Sequence, residues 1–266
     1  MVLIRSDPYV CLAGREDTRR AGFWWRFSPS QYDSDQFSCP ARLGRSGAPQ
    51  SAHYMCAFES HYPGRMGVQR LDIEGAWLIE NNVHGDDRGQ FLEWFKANAF
   101  RREVGHPFDL AQANCSISAK GVLRGIHFAD VPPGQAKYVT CVRGSVLDVI
   151  VDIRVGSPTF GRWTSVLLDD LDRRAVYLSE GLGHAFMALE DGSTVVYLCS
   201  EGYNPRGEHE VYPLDPAIGI DWPLDGSAPA LSAKDAAAPT LAEAAAAGLL
   251  PEYAKCLTYR DGLASQ

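Results

Sequence analysis

Residues 111–212 carry a pattern of hydrophobic and polar positions that predicts many short β-strands. The segments richest in β-branched and aromatic residues are Tyr138–Arg143, Val146–Ile153, Trp163–Leu168, Ala175–Leu178 and Thr194–Cys199. Turn sequences such as RVGSPTFG, DDLDRR and EDGS separate them. Short strands at near-regular spacing indicate an all-β sandwich or barrel.

The flanking segments predict short strands and a few helices. Residues 68–96 predict strands separated by a polar turn, and residues 92–105 predict a short helix that ends at Gly105. Residues 236–250 are rich in alanine and predict a helix in which Thr240 is the cap ahead of Glu243.

Residues 1–65 differ from the rest of the chain. They carry scattered Ser, Pro, Gly, Arg and aromatic residues without a sustained strand or helix period. This composition predicts an irregular or disordered extension, followed by one domain over residues 66–266 that ends in a helical tail. Because every motif that bears on chemistry follows Met66, we expect the extension to be dispensable for catalysis. A translation start at Met66 is an open alternative.

The bulk composition limits the class of protein. The 266 residues are 45% hydrophobic and 22% charged, which is ordinary for a globular domain. A net charge of -8 argues against a nucleic-acid surface, although a local arginine cluster can still hold a small anion. The seven cysteines are widely spaced and form no CxxC pair, which favours reduced thiols in a cytoplasm over disulfides or a zinc ribbon. No apolar run is long enough for a membrane span, and no signal peptide is recognisable.

Two segments carry the candidate chemistry. GVLRGIHFADVPPGQAK, residues 121–137, contains Arg124, His127 and Lys137, and LSAKDAAAP further along contains Asp235. An imidazole, a carboxylate and a nearby cation are what proton abstraction beside a carbonyl requires. Arg124 and His127 are three residues apart and therefore fall on opposite faces of a regular strand. A bulge or a strand end is needed to direct both inward.

These segments and their spacing resemble dTDP-4-dehydrorhamnose 3,5-epimerases and the related antibiotic-sugar epimerases. The resemblance covers residues 68–252 and includes DDRGQFLE, QANCS, GSPTFGRW, EGLGHAF and DPAIGIDWP, together with RGxH followed ten residues later by lysine. It implies a cupin-type jelly-roll barrel with a few short, mostly C-terminal helices. It also implies a homodimer in which the amino-terminal strands of one subunit support the other's site. No metal or organic cofactor is implied.

The resemblance further implies a role for each candidate residue. His127 is the base that removes the proton beside the 4-keto group, and Asp235 is its hydrogen-bond partner. Lys137 places a cation by the keto oxygen, and Tyr197 is the acid on the opposite face. The implied substrate-binding residues are Arg88, Phe91, Glu93, Gln112, Asn114, Arg124, His184 and Tyr203. The expected reaction inverts C-3, with or without C-5, of dTDP-4-keto-6-deoxy-D-glucose, and the sequence does not decide between the two outcomes.

Other functions and other roles remain open on the sequence. A metal-dependent cupin isomerase or dioxygenase usually offers two histidines one residue apart, but Ala129 occupies the second position after His127. A non-catalytic sugar-binding cupin would have no reason to keep the base, its carboxylate, the lysine and the tyrosine together. Single residues also have structural alternatives: core aromatics for Phe91 and Tyr203, a loop histidine for His184, and a helix N-terminal acid for Asp235.

Overall fold

Two facing β-sheets and one separate hairpin make up most of the computed structural model, which describes residues 67–265. The predicted extension, residues 1–65, lies outside the described residues. In chain order the strands are β1 Gly67–Arg70, β2 Ala76–Glu80, β3 Val83–Asp86, β4 Gly89–Leu92, β5 Gln112–Ser118, β6 Leu123–Ala129, β7 Lys137–Arg143, β8 Ser145–Val151, β9 Trp163–Asp169, β10 Ala175–Leu178, β11 Gly183–Ala188, β12 Ser193–Cys199 and β13 Glu208–Glu210. The helices are α1 Ala97–Val104, α2 Ala233–Ala236, α3 Leu241–Ala246 and α4 Tyr253–Ala264.

The strand order interleaves distant parts of the chain. The larger sheet has the order β1-β2-β10-β7-β12-β5, and the smaller sheet has the order β13-β6-β11-β8-β9. Neighbouring strands in both sheets run antiparallel. Strands β3 and β4 pair with each other in the hairpin. The expected all-β jelly roll with a few short helices near the C-terminus is thereby confirmed.

Three apolar layers bury the two sheets. The central layer lies between them and takes Val139 and Val195 from the larger sheet and Ile150 from the smaller one. The outer face of the larger sheet is covered by an aromatic cluster that includes Phe100 of α1. The outer face of the smaller sheet packs against the C-terminal segment, including Leu241 of α3. Side chains on both faces of the central strands, such as β7 and β10, are therefore buried.

The C-terminal tail forms shorter helices than the sequence predicts. The cap is confirmed, because Thr240 and Glu243 form a capping box at the start of α3. The prediction of one helix over residues 236–250 is wrong. Pro239 stands just before the cap and has no N–H to continue a helix from α2, and Gly248 adopts a φ of 70°. The predicted end of α1 at Gly105 is confirmed, with a φ of 102°.

A buried ion pair fixes the helix α4 to the barrel. Arg154 and Asp152 are almost fully buried, and Arg154 Nε donates to Asp152 Oδ1 over 2.8 Å. The second carboxylate oxygen accepts from the Ser157 hydroxyl at 2.6 Å. The Arg154 guanidinium lies 5.0 Å from the centre of the Tyr253 ring, and Tyr253 also bonds to Glu74. The first turn of α4 is thereby attached to a satisfied polar network inside the fold.

Glu180 is a buried carboxyl group between β10 and β11. Burial raises its pKa to about 7, and its Oε2 atom has no hydrogen-bond partner within residues 67–265. The folded state therefore keeps this proton up to a higher pH than the unfolded chain does, because the pKa of the carboxyl group in the unfolded chain is 4.5. The stability that this group contributes is complete below about pH 4.5 and is lost as the pH rises through about 7.

Glu180→Gln keeps the shape of the side chain and removes the ionisation. We expect the variant to exceed the parent at pH 8 in free energy of unfolding, by on the order of 2 to 3 kcal/mol, and to lose this advantage near pH 5. Denaturant unfolding across this pH range measures the difference. Glu80→Gln, at an exposed carboxylate on β2, is the matched control. Equal pH dependence of the parent and Glu180→Gln would contradict the assignment.

Candidate active site

Strands of the two facing sheets bring four of the side chains with predicted catalytic or substrate-binding roles into one pocket. Lys137 of β7 and Tyr197 of β12 come from the larger sheet. His127 of β6 and His184 of β11 come from the smaller sheet, where they stand opposite each other in the register. Because the two sheets form the walls of the pocket, a molecule between them meets different groups on its two faces.

A bulge in β6 directs two of these residues to the same side. Against β11, Arg124 pairs with Phe186 and His127 pairs with His184, so β6 advances three residues where β11 advances two. The extra residue removes the conflict that the three-residue spacing creates in a regular strand. Arg124 and His127 are both half-buried on the pocket side.

Gly125 makes this bulge possible. Its φ is 109°, a region that side-chain-bearing residues rarely adopt. A Cβ atom at this position would lie 2.4 Å from the His184 carbonyl oxygen and 2.8 Å from the Ala185 Cα. The glycine in the RGxH motif therefore sets the close approach of the two backbones.

His127 is paired with Asp235. The His127 Nε2 and Asp235 Oδ1 atoms are 2.7 Å apart, and the carboxylate is 4% exposed whereas the imidazole is 40% exposed. The other Asp235 oxygen accepts from the Ser232 hydroxyl at 2.8 Å. Ser232 also caps α2 by accepting from the Asp235 backbone N–H. Asp235 thus belongs to a helix N-terminus and to the dyad at once.

The surroundings keep the Asp235 carboxylate ionised. Burial acts to raise its pKa, but the hydrogen bond and charge of His127, the Ser232 hydroxyl and the Gly125 backbone together lower the pKa below its ordinary value. An ionised acceptor holds the proton on Nε2 of the imidazole. The Nδ1 lone pair, which has no partner within residues 67–265, is then free to accept a proton.

Lys137 supplies an unpaired cation inside the pocket. The residue is 9% exposed, and its ammonium group forms no hydrogen bond or ion pair within the described part of the chain. Burial lowers the pKa of Lys137, while Cys199, Glu208 and Asp148 act in the opposite direction. A cation without a protein partner suits an oxygen on which negative charge develops.

Tyr197 lies on the opposite wall from His127 and is half-buried against the central apolar layer. Burial raises its pKa, and Cys199 and Glu208 raise it further. Arg124 and the interaction with Asn114 act to lower the pKa, without reversing the shift. Tyr197 is therefore a protonated phenol at neutral pH and can act as an acid.

A second histidine–carboxylate pair lies deeper in the pocket. His184 Nε2 is 2.8 Å from Asp148 Oδ2, and both side chains are buried. The alternative that His184 is a loop histidine is wrong, because the residue lies within β11. Its orientation is fixed by Asp148, an acidic residue in the otherwise apolar strand β8, and that contrast is a feature by which Asp148 can be recognised in the sequence.

Polar residues of β5 continue the pocket towards its mouth. Gln112 donates to Asn114 Oδ1 at 2.9 Å and accepts from the Tyr203 backbone N–H at 2.8 Å. Arg124 donates to the Ser118 hydroxyl at 3.1 Å. Tyr203 is 61% exposed, so the alternative that it is a core aromatic is wrong.

The remaining predicted residues lie on or beside the β3–β4 hairpin. Arg88 is bonded to Asp86 in the hairpin turn, and Glu93 is paired with Lys96. Phe91 is 66% exposed, which contradicts a core role. No hydrogen bond or ion pair within residues 67–265 joins Arg88 or Glu93 to the pocket side chains. The structure of a single chain therefore separates these residues from the rest of the predicted set.

The described residues were also searched for metal sites and for membrane-spanning helices. No group of three or more His, Cys, Asp or Glu side chains within residues 67–265 has the arrangement of a metal site. Over that range, no helix is both long and apolar enough to cross a membrane.

Comparison with known proteins identifies a family and several relatives that match most of the described residues. A family profile described as dTDP-4-dehydrorhamnose 3,5-epimerase matches residues 70–243. The chain is 59% identical over 189 residues to the dTDP-4-dehydrorhamnose 3,5-epimerase of Mycobacterium tuberculosis, covering 71% of this chain and 94% of the relative. It is 57% identical over 191 residues to the dTDP-4-dehydrorhamnose 3-epimerase of Streptomyces niveus, covering 72% and 91%.

Solved structures agree with the sequence comparison. An epimerase from Mycobacterium tuberculosis superposes with a TM-score of 0.73 at 56% identity, covering 74% of this chain and all (100%) of that chain. A 3'-monoepimerase from Streptomyces bikiniensis in complex with dTDP-quinovose superposes with a TM-score of 0.72 at 52% identity, covering 74% and 98%.

The contact at Gly125 is testable by adding one methyl group. Gly125→Ala should lower the free energy of unfolding by roughly 1 to 3 kcal/mol more than Gly121→Ala does, because the new Cβ meets backbone atoms. Gly121 is the matched control, since its φ is also positive, at 81°, but a Cβ there meets nothing within 4 Å. Denaturant unfolding compares the two variants, and equal losses would show that the close approach is unimportant.

Proposed function

The chain belongs to the dTDP-4-dehydrorhamnose 3,5-epimerase family and is a dTDP-sugar epimerase, and we propose that it inverts C-3 of dTDP-4-keto-6-deoxy-D-glucose, with or without C-5. The observation that carries this proposal is the placement of a His127–Asp235 pair and of Tyr197 on opposite walls of one pocket, with Lys137 unpaired between them. Inversion of a carbon centre requires a base on one face and an acid on the other.

The first step breaks a C–H bond next to the ketone. His127 Nδ1 takes the proton from C-3, and the C–H electron pair moves into the adjacent carbonyl to give an enolate. Asp235 stabilises the imidazolium that forms, because its carboxylate already accepts from Nε2. The Lys137 ammonium stabilises the negative charge on the enolate oxygen. The ketone of the substrate supplies the acidity of the C–H bond.

The second step forms a new C–H bond on the opposite face. The Tyr197 hydroxyl donates its proton to C-3 as the enolate returns its electron pair to carbon. His127 then loses its proton and the phenolate regains one through solvent, so the reaction is an isomerisation with no net gain or loss. The raised pKa of Tyr197 supports its role as the proton donor.

The polar rim of the pocket suits the nucleotide part of the substrate. Arg124 can bind a pyrophosphate oxygen with charge assistance, and Gln112 and Asn114 offer amide groups on the same face of β5. His184, held by Asp148, would contact the sugar at the base of the pocket.

We further propose a homodimer in which the hairpin of one subunit completes the pocket of the other. Arg88 is 90% exposed and Phe91 is 66% exposed, although both belong to the predicted nucleotide site. Beside the hairpin, an apolar groove of about 420 Å³ runs between Leu92 and the outer face of β5. On that face Ile117 is 70% exposed, and a second copy of this chain would cover it.

The comparisons leave the number of inverted centres open. The relatives at 57–60% identity include 3,5-epimerases and 3-epimerases alike. Since the proposed acid and base suit either outcome, the choice depends on whether the ring can present C-5 to the same pair.

Exchange of carbon-bound hydrogen with D2O tests the division of roles. We expect deuterium at C-3 with the parent, no exchange with His127→Ala, and residual exchange with greatly reduced inversion for Tyr197→Phe. Loss of the acid or the base should cost roughly 10² to 10⁴ in rate. NMR of the product locates the deuterium, and comparable exchange at C-5 identifies a double epimerase.

His209→Ala is the matched control for the base. His209 also pairs with an aspartate, at 2.8 Å from Asp130, but stands on β13 with a tilted ring contact to Phe128 of the outer cluster. The His209→Ala variant should retain exchange of the C-3 hydrogen with D2O. Absence of exchange at both carbons with the parent would refute the proposed reaction.

Mixing inactive variants tests the shared pocket. Arg88→Ala and His127→Ala homodimers should each be impaired, whereas a heterodimer contains one pocket with both native residues. After subunit exchange, we expect the mixture to regain about a quarter of the parental activity, since half of the dimers are mixed and each has one complete site. If the mixture has no more activity than its components, the hairpin serves its own chain.

A further inference from the structure

Three strands of the larger sheet meet where Lys137 lies. Lys137 is the first residue of β7, and it pairs with Leu178, the last residue of β10, and with Cys199, the last residue of β12. Its ammonium group has no protein partner within residues 67–265, so no polar contact there fixes this long side chain at its far end. The position of the cation therefore depends on how the backbone just before Lys137 is held.

Ser200 holds the residue that precedes Lys137. The Ser200 backbone N–H donates to the Ala136 carbonyl oxygen at 3.1 Å, and the Ala136 N–H donates to the Ser200 hydroxyl at 2.8 Å. A hydroxyl that accepts a hydrogen bond still has a proton of its own to donate. The Glu180 carboxyl group accepts that second bond. A path of hydrogen bonds thus runs from Glu180 to the backbone one residue before the cation.

The Glu180 side chain also packs directly against the turn between β6 and β7. Gly134 of this turn is buried and has a φ of 76°, and a Cβ atom there would lie 2.6 Å from Glu180 Cβ and 2.8 Å from Glu180 Cγ. The Gln135 side chain donates to the Glu201 carbonyl oxygen at 3.1 Å. The turn therefore rests on the stem of Glu180 and is tied to the segment that follows β12.

A carboxyl group is a costly choice for this position. Glu180 is 4% exposed and forms no ion pair within the described part of the chain. Burying such a group without a cation is unfavourable, and an apolar side chain would fill the same space without that cost. An apolar side chain would, however, leave the Ser200 hydroxyl without its acceptor. The acceptor is thus the contribution that distinguishes Glu180 from a packing residue.

We propose that Glu180 is a positioning residue for the epimerisation, which acts through Ser200 and Ala136 to fix the start of β7 and with it the Lys137 ammonium group. The inference rests on the proposed function for the role of Lys137. The hydrogen-bond path itself does not depend on that role.

Separate measurement of kcat and KM distinguishes positioning from a purely structural role. In Glu180→Ala we expect kcat to fall roughly 10- to 100-fold with little change in KM, because the cation acts on charge that develops in the reaction rather than on the bound nucleotide. Glu180→Gln keeps an acceptor of the same shape and should restore most of kcat. Equal losses in the two variants, or a loss confined to KM, would overturn the proposal.

Ser200→Ala interrupts the same path without emptying the space that Glu180 fills. It should lower kcat by a similar factor, so the proposal remains testable if Glu180→Ala does not fold. Parental kcat in a folded Ser200→Ala variant would overturn the proposal.

Glu190→Ala is the matched control because it also removes a carboxylate that accepts from a serine. Glu190 accepts from the Ser145 hydroxyl at 2.7 Å, in the turn at the other end of β11. We expect kcat to stay at the parental value. A loss as large as that of Glu180→Ala would mean that the effect is not specific to the Lys137 end of the sheets, and would overturn the proposal.

A double-mutant cycle tests whether the path acts through the cation. In a Lys137→Met background, Ser200→Ala should cause little further loss of kcat for exchange at C-3, since the group that the path positions is already absent. A full, additive loss in this background would show that Ser200 acts on another part of the site, and would refute the proposal.

A further measurement does not require turnover. Amide hydrogen exchange followed by NMR should show faster exchange of the Ala136 N–H in Glu180→Ala and Ser200→Ala than in the parent and in Glu190→Ala. Unchanged protection of this amide in Glu180→Ala refutes the proposal even if the enzyme is active. Faster exchange in a protein without epimerase activity would leave the positioning contact intact and refute the proposed function.

Discussion

At Gly125 the backbones of β6 and β11 approach so closely that a methyl group would collide with the His184 carbonyl oxygen, and the rest of the pocket depends on this contact. It allows β6 to hold one extra residue opposite β11, which turns Arg124 and His127 to the same wall. In a regular strand, one of these two polar side chains would point into the apolar cluster on the outer face of the sheet. A steric property of one residue thus decides where the base stands.

The pocket combines paired and unpaired charges in a specific distribution. Two histidines are held by carboxylates, which fixes their ring orientation. Lys137 and Glu208 face the same space but form no ion pair with each other. Because these groups lie between two sheets whose outer faces are covered by apolar clusters, each unpaired charge acts on its neighbours more strongly than it would in water. Such an arrangement stabilises charge that appears during a reaction better than charge already present in the resting protein.

Local patterns predict the strands well, and long-range contacts explain what they miss. The segment Ala175–Leu178 has the predicted bounds, because its apolar residues are buried on both faces of a central strand. The prediction of a single tail helix is wrong, since Pro239 and Gly248 interrupt the favourable alanine pattern.

The pairing of His127 with Asp235 was implied by a family resemblance rather than by spacing. Strand β13 is not predicted, because a strand of three residues has too few positions to show alternation. Whether a hairpin serves its own subunit or another is a property of the assembly, which a sequence pattern does not encode.

Asp235 follows His127 by 108 residues and is held by a helix that begins at Ala233. A ribosome therefore completes most of the barrel strands before the histidine can meet its carboxylate. During synthesis the pocket can assume much of its shape while its base still lacks an oriented tautomer. A chain that ended before this point would lack both the carboxylate and the C-terminal residues that cover the smaller sheet. The dyad is consequently completed only after all thirteen strands of the described residues have been synthesised.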